Sequence, residues 1–116
     1  MLKLQVIGNL GADAEFKSSN GKEFLTFRVA DTRKYPDADG VLVEVTTWIG
    51  CIMDRPSSSL AKYLTKGTKV YVEGLPRFRT YKATKNGTTD YYVSVDLSVN
   101  FIQLCGGNGD DKDKPF

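Results

Sequence analysis

Histidine is absent from this 116-residue chain. That excludes Ser-His nucleophile pairs, imidazole proton shuttles and zinc sites that depend on imidazole. Cysteine is scarce. Cys51 and Cys105 are the only two, too few for a four-ligand metal site. The N-terminal stretch Met1-Leu2-Lys3-Leu4-Gln5 has no long apolar run, so neither a signal peptide nor a membrane span is expected. Two cysteines without a secretory signal imply a reducing cytoplasm and half-buried free thiols, with a Cys51–Cys105 disulfide as the alternative. Neither sign of charge dominates: 16 basic against 14 acidic residues leave a net +2. Also missing are a Gly-x-Gly-x-x-Gly turn and a phosphate loop ending Gly-Lys-Ser/Thr. Ser57-Ser58-Ser59 has no base to activate it and reads as the first turn of a helix. Carboxylates are scattered, with no acid/base pair and no metal-holding cluster. An enzyme is therefore not expected, and no cofactor or metal is implied.

What is present suits one small domain of strands and turns. Hydrophobic residues make up 41% and charged residues 26%, an ordinary globular mix, and there are 11 glycines. Leu2, Leu4 and Val6 alternate with Lys3 and Gln5 as in a half-buried strand, which Gly8-Asn9-Leu10-Gly11 breaks. Residues 14–17 extend the pairing toward Asn20-Gly21, a hairpin turn signal. A second strand is expected from Glu23 to Arg33, with Leu25, Phe27 and Val29 on one face and Thr26, Arg28 and Thr32 on the other. Residues 34–40 read as a loop by their Pro, Asp and Gly content. A third strand follows from Val41 to Cys51, its Val43/Val45/Ile49 face toward the core and Trp48 on the opposite face. Pro56 opens a short helix in which Leu60, Tyr63 and Leu64 form an apolar stripe, stopped at Lys66-Gly67. The fourth strand starts near Lys69, bends at Pro76 and resumes at Arg77. After the Asn86-Gly87 turn comes a last strand with Tyr91, Val93, Val95, Leu97, Val99 and Phe101 on one side.

Three strands, a short helix, then two strands is the connectivity of the OB-fold, an all-β five-stranded Greek-key barrel with one helix between strands 3 and 4. Residues 1–105 would form this domain. Residues 106–116 have no core-forming pattern and read as a disordered tail. Residues 107–116 carry three acidic and two basic side chains, so the small net charge averages a mildly basic barrel with an acidic tip.

Aromatic and basic residues share the polar strand faces and loops: Arg28, Arg33, Lys34, Tyr35, Trp48, Arg55, Arg77, Arg79, Tyr81, Lys82 and Lys85. Each alone suggests a solvated edge or a covered ring. Together they suit single-stranded nucleic acid, because cations track phosphates while flat rings stack on unpaired bases. Nothing reads as a recognition helix or zinc finger for duplex DNA.

Several segments resemble the bacterial single-stranded DNA-binding proteins across nearly the whole chain. They are Val6-Ile7-Gly8-Asn9-Leu10-Gly11, Ala30-Asp31-Thr32, Thr47-Trp48, Tyr63-Leu64-Thr65-Lys66-Gly67-Thr68-Lys69-Val70-Tyr71-Val72-Glu73-Gly74, Arg77-Phe78-Arg79-Thr80-Tyr81 and the terminal Pro115-Phe116. The resemblance implies an OB-fold in a homotetramer, or a dimer, that binds single-stranded DNA without sequence preference in replication, recombination and repair. It also implies a cytoplasmic, nucleoid-associated location. It carries stacking roles onto Tyr35, Trp48 and Tyr81, with Met53 near a position where the family has an aromatic. Phosphate contacts carry onto Arg55, Lys66, Arg77 and Arg79. Asp110, Asp111, Asp113, Pro115 and Phe116 resemble the tip that docks replication and repair proteins, where a ring and a terminal carboxylate can be captured together. Lys112 and Lys114 reduce its charge. The residues themselves leave two alternatives open: an RNA-binding OB protein, since stacking tolerates both sugars, or a primosome-like protein-interaction module.

Overall fold

The computed structural model describes residues 1–54 and 58–105. Arg55, Pro56 and the tail with Asp110, Asp111, Asp113, Pro115 and Phe116 lie outside them. The elements are β1 (Leu4–Leu10), β2 (Glu15–Ser19), β3 (Lys22–Pro36), β4 (Leu42–Asp54), α1 (Ser58–Ala61), β5 (Lys69–Lys85) and β6 (Thr88–Leu104). The sheet order is β1-β5-β6-β4-β3-β2, and β1 also pairs with β3. Five strands thus close a ring, with β2 attached outside it to the free edge of β3. All pairings are antiparallel except β4 with β6, which run parallel. This is the expected OB barrel with one extra edge strand.

Both Asn-Gly pairs make tight turns. Asn20 and Gly21 have φ of 53° and 78°, and Asn86 and Gly87 have 52° and 77°. Positive φ at both central residues is the type I′ geometry whose twist matches that of the flanking strands. The hairpins they close bring Phe16 opposite Leu25 and Tyr81 opposite Tyr92.

The interior follows the alternating pattern where a second layer exists. Leu25, Phe27 and Val29 of β3 meet Val6 and Leu10 of β1, Ile49 and Cys51 of β4, Val70 and Val72 of β5, and Leu97 and Val99 of β6. Leu64 caps one end, held by the Ala14 N–H donating to its carbonyl (2.9 Å). Where the ring ends, the pattern no longer means burial. β1 contacts β3 only up to Asn9–Ala30, so the β3–β4 hairpin beyond that point is a two-stranded arm. Val45 and Val41 on it are exposed and Val43 is half-buried, unlike the core face expected of them. The arm is longer than the sequence suggests. Pairing continues to Pro36–Leu42, so Lys34 and Tyr35 sit in a strand, not a loop. Asp37 closes the turn, its Oδ1 accepting the N–H groups of Asp39 and Val41, both at 2.9 Å.

Three further departures have local causes. The helix ends at Ala61, and Tyr63 stays exposed while Leu64 is buried in the core and Leu60 packs against it. β5 passes through Pro76 unbroken, because β1 stops opposite Gly74 and leaves β6 as the sole neighbour. A strand with one open edge tolerates a missing N–H. The clean alternation of β6 is broken by a bulge: Glu73 faces Phe101 but Gly74 faces Val99. Asn100 is the extra residue, and past it the faces invert. Phe101 therefore points outward against Tyr71 (ring centroids 6.0 Å apart), and Ile102 packs inward.

Both cysteines are free, with Cys51 buried and Cys105 half-buried. Burial pushes the Cys51 thiol up to about 12, and reactivity requires the thiolate. A disulfide reagent at about pH 8 should therefore titrate one thiol in the native protein and two after unfolding. Equal native reaction of both would contradict this packing.

Candidate nucleic-acid interface

Successive side chains alternate between faces, so the registers decide which residues share a surface. On the outer face two rows cross four strands. One runs Arg28, Gly50, Asp96, Arg77; the next runs Thr26, Ile52, Ser98, Leu75. Trp48 lies beside the first row, opposite Ala30. Arg79 and Tyr81 continue along the same face of β5, opposite Ser94 and Tyr92. Two adjoining grooves of about 420 and 360 Å³ follow this surface and share Ile52 and Asp96 as walls.

Trp48 stands at the wide end, 42% exposed. Its seat is narrow. A Cβ on Gly11 would lie 2.5 Å from the edge of the indole, so only glycine leaves the ring its place. Gly11 is itself fixed by its N–H donating to the Arg28 carbonyl (3.1 Å). The Arg28 guanidinium sits 4.9 Å from the indole centroid, a cation–π contact that braces the ring. At the other end Tyr81 and Tyr92 stack with centroids 5.5 Å apart and planes inclined by 25°. Both remain about half exposed, at 53% and 45%.

Charge between these aromatics is mixed. Arg79 Nη2 donates to Asp96 Oδ2 at 2.7 Å. Arg77 has no carboxylate partner among the described residues. Asp13 and Glu15 line the Trp48 end, with Lys17 and Arg28 opposing them.

The structure brings together Arg28, Trp48, Arg77, Arg79 and Tyr81 of the residues singled out from sequence. Others stand elsewhere. Tyr35 and Arg33 share the opposite face of the β3–β4 arm, across from Val43 and Val45, and Arg33 Nε donates to Asp31 Oδ2 at 3.0 Å. Lys34 is on the Trp48 side, further out, 3.8 Å from Glu44. Met53 turns inward and packs on the core; its neighbour Ile52 is the one on the groove. Lys82 faces away from Tyr81, and Lys85 adjoins the tip of the β5–β6 arm. Lys66 lies in a turn at the barrel end, where its N–H donates to Asp13 Oδ1 (2.8 Å). Sequence reasoning missed Gly11, Gly50, Tyr92 and Asp96. Tyr92 had a usable signal, since a two-residue Asn86-Gly87 turn by itself sets residue 81 opposite 92.

A second outer surface lies across β1, β5 and β6, where Ile7 and Phe101 are exposed beside Tyr71. There Lys3 Nζ pairs with Glu73 Oε2 (2.8 Å) and Gln5 Nε2 donates to the Tyr71 hydroxyl (2.8 Å). The Lys3 contact, then the Tyr71 hydroxyl, hold the Glu73 carboxyl below its ordinary range.

Residues 1–104 match the model of the single-strand binding protein family. The chain is 33% identical over 111 residues to a single-stranded DNA-binding protein of Neisseria meningitidis, covering 94% of this chain and 62% of that one. It is 34% identical over 110 residues to one of Xanthomonas axonopodis, covering 93% and 59%. It thus spans about three-fifths of the length of these relatives. A Plasmodium falciparum SSB in complex with ssDNA superposes with a TM-score of 0.63 at 29% identity, over 90% of this chain and 92% of that one. A small single-stranded DNA-binding protein of Streptomyces coelicolor shares the fold, with a TM-score of 0.62 at 20% identity over 89% and 93%.

The indole seat is open to direct test. Gly11→Ala should move Trp48 and shift its emission maximum while leaving the far-ultraviolet dichroism of the barrel unchanged. An unaltered emission spectrum would show that the ring is not held against Gly11.

Proposed function

The chain belongs to the single-strand binding protein family, and from that premise we propose that it binds single-stranded DNA through the outer-face groove. The observation that supports this most is the arrangement itself: exposed rings at both ends, Trp48 and the Tyr81–Tyr92 pair, with Arg28, Arg77 and Arg79 between them. Bases stack on the rings regardless of identity, and arginines meet phosphates. Binding of this kind coats and protects exposed strands in replication, recombination and repair, and involves no catalysis. Lys34, Lys66, Lys82 and Lys85 would serve as outlying phosphate contacts along the strand's path, and Tyr35 as a stacking ring only where DNA passes round the edge of the β3–β4 arm. The tip from Asp110 to Phe116 is proposed to recruit partner proteins. A cytoplasmic location fits this role.

Trp48 is the only tryptophan, so its fluorescence reports one site. Oligo-dT should quench it, with log affinity falling against log salt by about 0.7 per phosphate contact. Tyr81→Ala should weaken binding by about tenfold, within the ~1–3 kcal/mol that a base–aromatic stack is worth. Quenching by oligo-U in place of oligo-dT would move the assignment to RNA, and no response to either would refute it.

Assembly is proposed to be homo-oligomeric, a tetramer by resemblance, with the outer surface of β1, β5 and β6 covered by another copy. Ile7 and Phe101 are large apolar groups that a monomer leaves wet. Ile7→Glu should lower the mass measured by sedimentation; an unchanged mass would place the contact elsewhere.

A further inference from the structure

A carboxylate stands between arginines where the two grooves meet, apart from Asp13 and Glu15 at the Trp48 end. Asp96 is the shared wall of the two grooves and completes the row Arg28, Gly50, Asp96, Arg77. Its position is fixed. Arg79 holds Oδ2 at 2.7 Å, a diagonal cross-strand contact that leaves Oδ1 as the oxygen on the Gly50 side. A Cβ built on Gly50 would come within 3.0 Å of Oδ1, so any side chain there would cover that oxygen. Glycine leaves it open to the groove, and no described residue donates a hydrogen bond to it. Trp48, the stacking ring, lies two residues from Gly50 along β4 on the same face, a strand rise of about 7 Å.

We propose that Asp96 Oδ1 reads the bases, favouring those with an exocyclic amine over thymine. This deepens the single-stranded DNA reading and rests on it. An ionised carboxylate only accepts hydrogen bonds. The N4 amine of cytosine and the N6 amine of adenine donate, while the corresponding O4 of thymine is itself an acceptor. Over this floor an amine gains a charge-assisted hydrogen bond, and a thymine O4 faces like partial charge. Stacking strength and backbone flexibility add modest preferences of their own, which a comparison with an Asp96 variant subtracts. The outcome is a bias in base composition laid over sequence-tolerant binding, not recognition of a site. The Arg79 clamp is the positioning element, since it keeps Asp96 from swinging into solvent.

The test compares oligo-dC with oligo-dT of one length, using wild type and Asp96→Asn. Trp48 quenching and the anisotropy of labelled oligonucleotides are read in parallel, near pH 8 so that cytosine stays unprotonated. The dC-to-dT affinity ratio should be about tenfold higher in wild type than in Asp96→Asn, the size expected of one hydrogen bond to a charged acceptor. The variant loses this part of the bias because a carboxamide donates as well as accepts. The dC-to-dT ratio within each protein cancels any general loss of affinity from the broken Arg79 contact. The same dC-to-dT ratio in wild type and Asp96→Asn would overturn base reading while leaving DNA binding intact. Failure of wild type to bind either one would take down the DNA-binding reading itself.

Discussion

Closing five strands into so small a ring forces backbones together at two places, and everything else depends on the chain permitting it. A Cβ on Gly74 would lie 1.9 Å from the Ser98 carbonyl oxygen, and one on Gly8 would lie 2.2 Å from that of Ala30. No side chain fits at either point without pushing strands apart. Gly8 lies where β1 passes from β5 to β3, and Gly74 lies at the bulge where β5 leaves β1. The core is built inside this closure, and the outer rows are aligned by it.

Alignment explains why the groove has its particular membership. The antiparallel β3–β4 and β5–β6 hairpins are each set by their own turns, but only the parallel β4–β6 pairing places one beside the other. That pairing sets Gly50 next to Asp96 and Ile52 next to Ser98, and so brings arginines of β3 and β5 onto one surface. The cationic character is tempered, since Arg79 is paired with Asp96 and Arg28 lies over Trp48. Exposed ion pairs contribute little to stability, so these contacts matter more as positioning than as strength.

The strand faces of the barrel, the two Asn-Gly turns and the order of elements were all legible in the sequence, because period two and turn chemistry are local properties. What was not legible arose from tertiary context. Val43 and Val45 alternate just as Leu25 and Leu97 do, yet only the latter have a second layer above them. The bulge at Asn100 inverts Phe101 and Ile102 for the sake of curvature that no short window contains. The helix stripe at Tyr63 failed because the chain turns back at Ala61 to cap the barrel. For the candidate surface, Trp48, Arg77, Arg79 and Tyr81 converge on one face. Tyr35, Arg33 and Met53 do not, since sharing a hairpin is not sharing a face. Asp96 could be placed on the polar side of its strand by counting, but its neighbours belong to a parallel pairing between residues far apart in sequence.

That parallel pairing is also one of two short stretches of the wall, the other being the β1–β3 contact. It comprises four residue pairs, Ile49–Val95 to Ile52–Ser98, against the long ladders on either side. The groove floor lies directly over it. A strand of nucleic acid spanning Trp48 and Tyr81 would therefore act as a clasp across the barrel's seam. By linkage, a ligand that binds only the closed form must raise the cost of opening there. Occupancy and barrel integrity become one equilibrium: whatever holds the strand also keeps the wall shut.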